Sequence, residues 1–291
     1  MLTPDMLAGR RVLITGGGTG LGRAIGERYL SLGASLVICG RRLPVLEATV
    51  AEMRAAYPAA SVTALRCDVR DPAQVNTMLD AIWAEAPLDI LVNNAAGNFL
   101  AQSHRLSVRA VNAVLGIVLH GTTYCTLGCG GRWIAAGRPG VVLSVLTLSA
   151  LSGAAFTMPS AVAKAGVLAM TRSLAVEWGP HGIRCVAVAP GSFPTPGADA
   201  GLSPAALPRP LPARTIPMGR VGEYRELTDA CAFLVSDLAS YVNGACLTVD
   251  GGKRFLTGAA QNDTATLLGW SNAQWDALRP APPPRPTLEP A

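Results

Sequence analysis

The chain of 291 residues is half hydrophobic, and its net charge of +5 comes with arginines dispersed along the sequence. Dispersed arginines without interleaved aromatic residues argue against nucleic acid as the main partner, and the modest positive charge suits an anionic small molecule. Gly, Ser and charged residues break the apolar runs before ~18 uninterrupted positions, so we expect no membrane span. Residues 1–10 show no export signal and residues 288–291 no peroxisomal address, so we predict a cytoplasmic protein.

Short runs rich in β-branched residues alternate with longer helical patterns along the chain. This alternation predicts a doubly wound α/β fold, a single domain in which helices cover both faces of a parallel sheet. The seven predicted strands are Val12–Thr15, Leu36–Cys39, Val62–Cys67, Ile90–Asn93, Val141–Val145, Cys185–Ala189 and Leu247–Val249. After the third strand, Asp71, Pro72 and Gln74 predict a helix start with an N-cap, a proline at the first position and a capping-box partner.

A glycine-rich turn follows the first predicted strand directly and leads into an amphipathic helix. Strand, glycine turn and helix in this order predict a pyrophosphate cradle, because glycines permit positive φ and the free N–H groups of a helix start face the anion. We therefore predict a Rossmann-type dinucleotide-binding domain over residues 1–258. The predicted cofactor contacts in this turn are Thr15, Gly16, Gly18, Thr19, Gly20, Leu21 and Gly22.

The end of the second predicted strand carries Arg41 and Arg42 where an NAD-preferring protein would place Asp or Glu. Guanidinium groups pair with a 2′-phosphate in bidentate fashion, so NADPH is the predicted cofactor. The alternative is two solvated arginines at a helix start, where basic groups oppose the helix dipole.

Seven cysteines are scattered along the chain, mostly in apolar stretches, without Cys-x-x-Cys pairs or nearby histidines. This pattern predicts reduced, buried thiols and no metal site. Cys125 and Cys129 would share one helix face, for which we prefer simple packing over a metal or redox role.

Two segments interrupt the alternation of strands and helices. Residues 190–217, rich in Pro, Gly and Ala, predict a substrate loop, since long loops inside compact domains are usually functional. Residues 259–278 are predicted to pack on the domain or a neighbouring subunit, and the proline-crowded residues 279–291 to be disordered.

The ordered motifs over residues 9–252 resemble the short-chain dehydrogenase/reductase family. Besides the glycine turn, the resemblance rests on Asp68-Val69, on the run from Asn93 to Gly97 and on Pro190-Gly191 followed by Thr195. It implies that Asp68 contacts the adenine, Asn94 the cofactor-side strand end and Thr195 the nicotinamide carboxamide. The remaining cofactor contacts that it implies are Val69, Ala95, Lys164, Pro190 and Gly191.

Ser160 and Lys164 occupy the place of the usual Tyr-x-x-x-Lys pair of that family. A phenol of pKa ~10 can exchange protons with a carbonyl beside a lysine, whereas a serine hydroxyl cannot, so ketone chemistry is disfavoured. This serine, with residues 94–99, 156–166 and 175–179, resembles the 2,4-dienoyl-CoA reductases within the family. Residues 261–263 and 274–276 extend the resemblance towards the end of the chain.

The resemblance implies hydride transfer to a conjugated acyl-CoA thioester, with negative charge collecting on the thioester oxygen. Such a reaction needs an oxyanion site, in which one good donor contributes ~3 kcal/mol. Asn98 is implied as that donor, Lys164 as a ligand of the nicotinamide ribose and Ser160 as a supporting hydrogen-bonding group. Singly, Asn98 suits a turn, Ser160 a helix cap and Lys164 a solvated lysine.

Two positions depart from the pattern of these reductases. Ser149 stands where they carry a tyrosine that donates to the oxygen, so a water, Thr147, Ser152 or Tyr124 could donate instead, or the substrate could differ. His120 stands where the wider family carries an asparagine. It could relay a proton near neutral pH or merely hold backbone.

The apolar helices predicted over residues 108–127 and 161–176 offer little polar face, so we expect them to bury against other subunits as well as the sheet. A homotetramer is implied by the resemblance. The alternatives to a dienoyl-CoA reductase are a reductase of another conjugated carbonyl and a non-catalytic NADPH-binding protein.

Overall fold

Seven parallel strands form one sheet in the order β3-β2-β1-β4-β5-β6-β7 in the computed structural model, which describes residues 3–195, 212–256 and 271–277. The strands are β1 Arg11–Thr15, β2 Ser35–Gly40, β3 Val62–Arg66, β4 Ile90–Asn93, β5 Gly140–Val145, β6 Ile183–Pro190 and β7 Cys246–Val249. All seven predicted strands are present, and the predicted doubly wound fold is confirmed.

Helices follow the strands on both faces of the sheet. They are α1 Gly20–Leu30, α2 Leu43–Ala56, α3 Pro72–Glu85, α4 Val108–Leu115, α5 Gly121–Ala135, α6 Ser149–Ser152, α7 Met158–Glu177, α8 Pro212–Thr215, α9 Tyr224–Val235, α10 Lys253–Leu256 and α11 Asn272–Ala277. The predicted irregular segments lie mostly outside the described residues. This applies to residues 196–211 of the substrate loop, to residues 257–270 and to the tail from residue 278.

Alternating side chains of each strand divide the core into two apolar layers. One layer packs Val12 and Ile14 of β1 against α1, α2 and α9, with Tyr29 fully buried. The other packs Leu13 against α3, α5 and α7, with Trp133 fully buried. Because both faces of the sheet are covered, each strand has to be apolar along nearly its whole length.

The start of α3 is held by the predicted N-cap, whose carboxylate accepts hydrogen bonds from the N–H groups of Ala73 and Gln74. The predicted capping-box bond of Gln74 is wrong. Its amide donates to Asp71 Oδ2 and accepts from the N–H of Asp68, not from that of Asp71. Asp71 N–H instead donates to the carbonyl of Asp68 within the preceding turn.

The cysteines lie where the apolar pattern predicts. All seven are free thiols, and six of them are buried, with Cys246 intermediate. Burial raises the pKa of the Cys125 thiol to about 12, which makes the reactive thiolate scarce. Among the described residues, no three His, Cys, Asp or Glu side chains are grouped as metal ligands would be.

The helix predicted over residues 108–127 is longer than expected and interrupted. α4 and α5 are joined by a π-helical turn at Gly116–His120 and continue to Ala135. By length and composition this segment, Val108–Ala135, could cross a membrane, and a third of its most apolar window is buried. Core helices of globular domains meet the same criterion. Its inner face packs against α3, α7 and the sheet.

Replacing Gly140 by alanine should destabilise the protein. A Cβ there would lie 2.6 Å from Trp133 Cε2, and the indole cannot retreat because its Nε1 donates to the carbonyl of Leu88 at 2.6 Å. We expect a loss of about 1–3 kcal/mol in the free energy of unfolding, measured by urea denaturation.

Gly131→Ala is the matched control, because a Cβ there would meet nothing within 4 Å. In the interior of α5 it should stabilise by about 0.5–1 kcal/mol. Equal effects of the two substitutions would contradict the packing described here.

Candidate cofactor and active site

The carboxyl ends of β1 and β4 are joined by a set of hydrogen bonds that we call the β1–β4 clasp. Thr15 Oγ1 accepts from the N–H groups of Asn94 and Ala95, both at 3.0 Å. Asn94 Nδ2 returns two bonds, to the carbonyls of Thr15 at 3.0 Å and Gly16 at 3.2 Å. The strand order reverses between these two strands, which is where ligands of open α/β sheets bind.

The turn after β1 has the geometry of a phosphate cradle. Gly16 and Gly20 have φ of +66° and +55°, which other residues rarely adopt. A Cβ on Gly22 would lie 2.5 Å from the carbonyl oxygen of Gly16, so a side chain there would block the turn. The N-cap Thr19 makes no side-chain capping bond, so the first N–H groups of α1 remain available to an anion. These residues fit a pyrophosphate.

Three other predicted contacts surround the turn. Leu21 packs partly against the core, and a Cβ on Gly18 would lie 3.0 Å from Leu46 Cδ2 of α2. Thr195 reaches the turn from the loop after β6, its side chain 3.6 Å from where a Cβ on Gly20 would lie. The structure thus brings a predicted nicotinamide contact to the phosphate turn.

Basic and acidic side chains face each other at the ends of β2 and β3. Arg41 and Arg42 are exposed just before α2. The carboxylate of Asp68 accepts from Arg70 Nε at 2.9 Å. This hydrogen bond lowers the pKa of Asp68, and the charge of Arg41 adds a smaller lowering.

The sequence did not single out Arg70. The only sequence pattern that could have indicated it is an arginine two residues after an aspartate, and this pattern is too common to predict an ion pair. Val69, by contrast, is buried against Gly121 of α5, so its side chain serves packing.

The loop that leaves β6 is held at its base. Gly191 N–H donates to the carbonyl of Val249 at 2.9 Å, and a Cβ on Gly191 would lie 2.7 Å from Asp250. The phenol of Tyr224 donates to the carbonyl of Pro194 at 2.6 Å, next to Thr195. Pro190 ends β6, so these bonds set where the chain turns towards the predicted nicotinamide position.

Ser160 and Lys164 lie one turn apart in α7, and both are buried. Lys164 is only 4% exposed, so the interpretation of a solvated helix lysine is wrong. Its Nζ donates to the carbonyl of Val145 at the end of β5. Burial lowers the pKa of Lys164 to about 8, which places its titration near physiological pH. Ser160 lies inside the helix and is not its N-cap, which is Thr157.

Two hydroxyl groups stand together between β5 and α6. Thr147 Oγ1 and Ser149 Oγ are 2.5 Å apart, and either atom can be the donor. Ser152 is exposed and its hydroxyl donates to the carbonyls of Leu148 and Gly153, so it is committed to its own turn. Of the alternative donors, Thr147 is therefore the one that the structure couples to Ser149.

Asn98 lies on the loop after β4. Its Oδ1 accepts from the N–H of Phe99 at 2.9 Å, which leaves the amide NH₂ as the group that can donate to a ligand. The N–H of Ala101 donates to the carbonyl of Phe156 at 2.9 Å. The loop of Asn98 is thereby tied to the segment that leads into α7 and Ser160.

His120 ends the π-helical turn and is exposed. Its ring lies 6.3 Å from that of Tyr124, measured between centroids. None of the contacts among the described residues joins it to Lys164, so its proton-relay role stays a prediction without structural support.

Comparison with protein families matches residues 16–254 to a family described as enoyl-(acyl carrier protein) reductase. An uncharacterised oxidoreductase of Caenorhabditis elegans is 43% identical over 94% of this chain and 88% of its own length. A probable (2E)-enoyl-CoA-producing 2,4-dienoyl-CoA reductase of Bacillus subtilis is 39% identical over 84% and 96%. A probable (3E)-enoyl-CoA-producing 2,4-dienoyl-CoA reductase of C. elegans is 39% identical over 94% and 90%.

Solved structures show the same similarity. A short-chain dehydrogenase from Bacillus anthracis superposes with a TM-score of 0.74 at 37% identity, covering 84% of this chain and 96% of that one. A putative 2-deoxy-D-gluconate 3-dehydrogenase from Agrobacterium tumefaciens, solved with bound NADP, gives 0.76 at 33% identity over 86% and 98%.

Replacing Lys164 by methionine should stabilise the fold at pH 7. The folded pKa of about 8 lies below the unfolded value of 10.5, so the unfolded state binds more protons between these values and the stability of the wild type rises with pH there. The variant removes this cost, which is up to about 3 kcal/mol of the free energy of unfolding at pH 7. It also loses the hydrogen bond to Val145, which costs about 1 kcal/mol.

The measurement is the free energy of unfolding in urea at pH 7 and pH 10, with Lys253→Met, the chain's other lysine, as the control. The advantage of Lys164→Met should shrink at the higher pH. An advantage that is the same at both pH values would contradict a burial-lowered pKa.

Proposed function

Because the chain belongs to the short-chain dehydrogenase/reductase family, we propose that it is an NADPH-dependent reductase of an α,β-unsaturated acyl thioester, with 2,4-dienoyl-CoA as the preferred substrate. The observation that carries the proposal is the pair Ser160 and Lys164, both buried in α7, in the place of a tyrosine and lysine. A serine hydroxyl is a much weaker acid than a tyrosine phenol, so it is a poor general acid or base for interconverting a ketone and an alcohol at neutral pH. It suits a reaction in which charge is delocalised onto a thioester oxygen.

NADPH, when bound, supplies the hydride that reduces the conjugated system, and one proton from the solvent completes the reduction. The glycine turn and the start of α1 would hold its pyrophosphate, and Thr195 would face the nicotinamide side. The buried Lys164, charged below a pH of about 8, would bind the nicotinamide ribose and add positive potential. Lys164 is held for this role by the bond from its Nζ to the carbonyl of Val145.

Asn98 donates its amide NH₂ to the thioester oxygen as negative charge develops there. Its orientation is set in advance by the bond from Phe99 N–H to Oδ1, so no reorganisation is required during the reaction. The hydroxyl pair of Thr147 and Ser149 is the second donor. One hydroxyl donates to the other, and the second hydrogen is left for the substrate oxygen.

A second candidate is a reductase of another conjugated carbonyl compound. The observation that favours it is Ser149, whose short side chain is engaged with Thr147 and reaches less far than a tyrosine would. Equal turnover of a dienoyl-CoA and of an enone without a thioester would support it.

We also infer that the protein is a homotetramer. The support is the exposure of large apolar side chains on the outer faces of α5 and α7, which a neighbouring copy would cover. These side chains are Leu127, Val162 and Val176.

Replacing Arg41 and Arg42 together by alanine should weaken NADPH selectively. Each guanidinium bond to a phosphate contributes about 1.5–3 kcal/mol, so we expect the KM for NADPH to rise about 10- to 100-fold or more while the KM for NADH changes little. Arg225→Ala, at an exposed site on α9, is the control. An unchanged ratio of the two KM values would remove the basis for NADPH preference.

Replacing Asn98 by alanine should lower kcat for trans-2,trans-4-dienoyl-CoA about 100-fold, since one oxyanion donor contributes ~3 kcal/mol. NADPH oxidation is followed by absorbance, with product identification by chromatography. The exposed Asn112→Ala in α4 is the control, and affinity for NADPH should stay constant in both. NADPH binding without turnover of dienoyl-CoA by the wild type would sink this substrate assignment.

A further inference from the structure

Four exposed apolar side chains lie on the loop that carries Asn98, on α6, and at or just before the start of α7, which carries Ser160. We call them the apolar rim; they are Leu100, Leu151, Phe156 and Met158. Leu100 is two residues after Asn98, and Met158 is two residues before Ser160. Exposed apolar side chains that cluster at one place often form a binding surface, whereas single exposed apolar side chains are common and carry no such meaning.

Packing and hydrogen bonds make the apolar rim one surface. Ala101, next to Leu100, donates its N–H to the carbonyl of Phe156 at 2.9 Å. The short helix α6, which contains Leu151, packs against α7, which begins with Met158. The rim therefore joins three separate segments around the proposed reaction centre.

Phe156 is held outward by an unusual backbone. Its φ is +62°, and it is the only residue other than glycine with a positive φ in the part of the chain that the structure describes. Its side chain is 57% exposed, so it does not contribute to the core. Backbone strain of this kind persists where the surroundings maintain it, and it concentrates at ligand sites.

The segments that carry the apolar rim contain no charged residue. Residues 90–103 and 140–163 contain no Asp, Glu, Lys or Arg, and Lys164, which follows, is buried with its Nζ bonded to the carbonyl of Val145. A charged or strongly hydrated substrate group would find no partner on these segments, whereas a hydrocarbon chain loses nothing there and gains from leaving water.

We propose that the apolar rim binds the hydrocarbon chain of the acyl thioester beyond its conjugated double bonds, with Phe156 as the principal contact. This inference rests on the proposed function and specifies its substrate as an acyl-CoA with a medium or long unbranched chain. A fully buried methylene contributes about fourfold in affinity, and one lying against a surface about twofold. Decadienoyl-CoA has four more methylenes than hexadienoyl-CoA and should thus have a kcat/KM about 16-fold higher.

The test compares kcat/KM for these two substrates in the wild type, in Phe156→Ala and in Leu238→Ala. Leu238 is the matched control, exposed next to Asp237, which pairs with Arg10 at the amino ends of the strands. Phe156→Ala should lose about fivefold or more with decadienoyl-CoA and less than twofold with hexadienoyl-CoA, while Leu238→Ala changes neither. Equal losses with both substrates, or no chain-length preference in the wild type, would overturn the proposal.

Phe156→Gly distinguishes the loss of the side chain from the backbone strain at this position. Like Phe156→Ala, it should abolish the chain-length preference. Its Tm should be higher than that of Phe156→Ala, because glycine adopts a φ of +62° without strain. A variant that changes the oligomeric state in sedimentation while the chain-length preference stays intact would assign the rim to a subunit contact and overturn the proposal.

A binding experiment distinguishes an error in the proposed function from an error in the proposed role of the apolar rim. If the wild type turns over no dienoyl-CoA, the rim is tested by calorimetric binding of saturated decanoyl-CoA and hexanoyl-CoA in the presence of NADP⁺. Tighter binding of decanoyl-CoA that disappears in Phe156→Ala supports the rim without any turnover. Equal binding of the two thioesters by the wild type overturns it.

Discussion

The β1–β4 clasp holds together the two strand ends from which the whole site is built. Thr15 and Asn94 exchange hydrogen bonds between side chain and backbone, so two peptide segments that diverge to opposite faces of the sheet share a fixed starting point. The glycine turn begins on one side of the clasp and the loop of Asn98 on the other. The clasp extends the parallel pairing of β1 and β4 beyond the ends of the strands, and so fixes the distance between the glycine turn and the loop of Asn98.

Lys164 is the one charged side chain of the proposed reaction centre, and it is buried. Lys164 donates to the end of β5 from inside an apolar helix, and the lack of solvent around it lowers its pKa to about 8. The other side chains of the proposed reaction centre are neutral; they are Ser160, Thr147, Ser149 and Asn98. A site of this composition is suited to stabilise developing negative charge by hydrogen bonding and by the charge of Lys164.

The same segments combine polar donors with exposed apolar side chains. The loop that carries Asn98 continues into Leu100, and the segment before Ser160 carries Phe156 in a strained conformation. One hydrogen bond, from Ala101 to Phe156, connects them, so the donor and the apolar surface are positioned by a single backbone contact. The proposed reaction centre and the proposed substrate contact are thus linked through the backbone.

The sequence by itself determined the seven strands, the doubly wound fold and the phosphate turn, because strand periodicity and glycine positions are properties of short segments. Family resemblance named Asn98, Ser160 and Lys164. The tertiary structure alone decided that Lys164 is buried, that Arg70 holds Asp68, that Thr147 pairs with Ser149, and that His120 is exposed. Burial and partner choice depend on how α7, β5 and the loops pack together, and the identity of neighbouring residues along the chain does not contain that information.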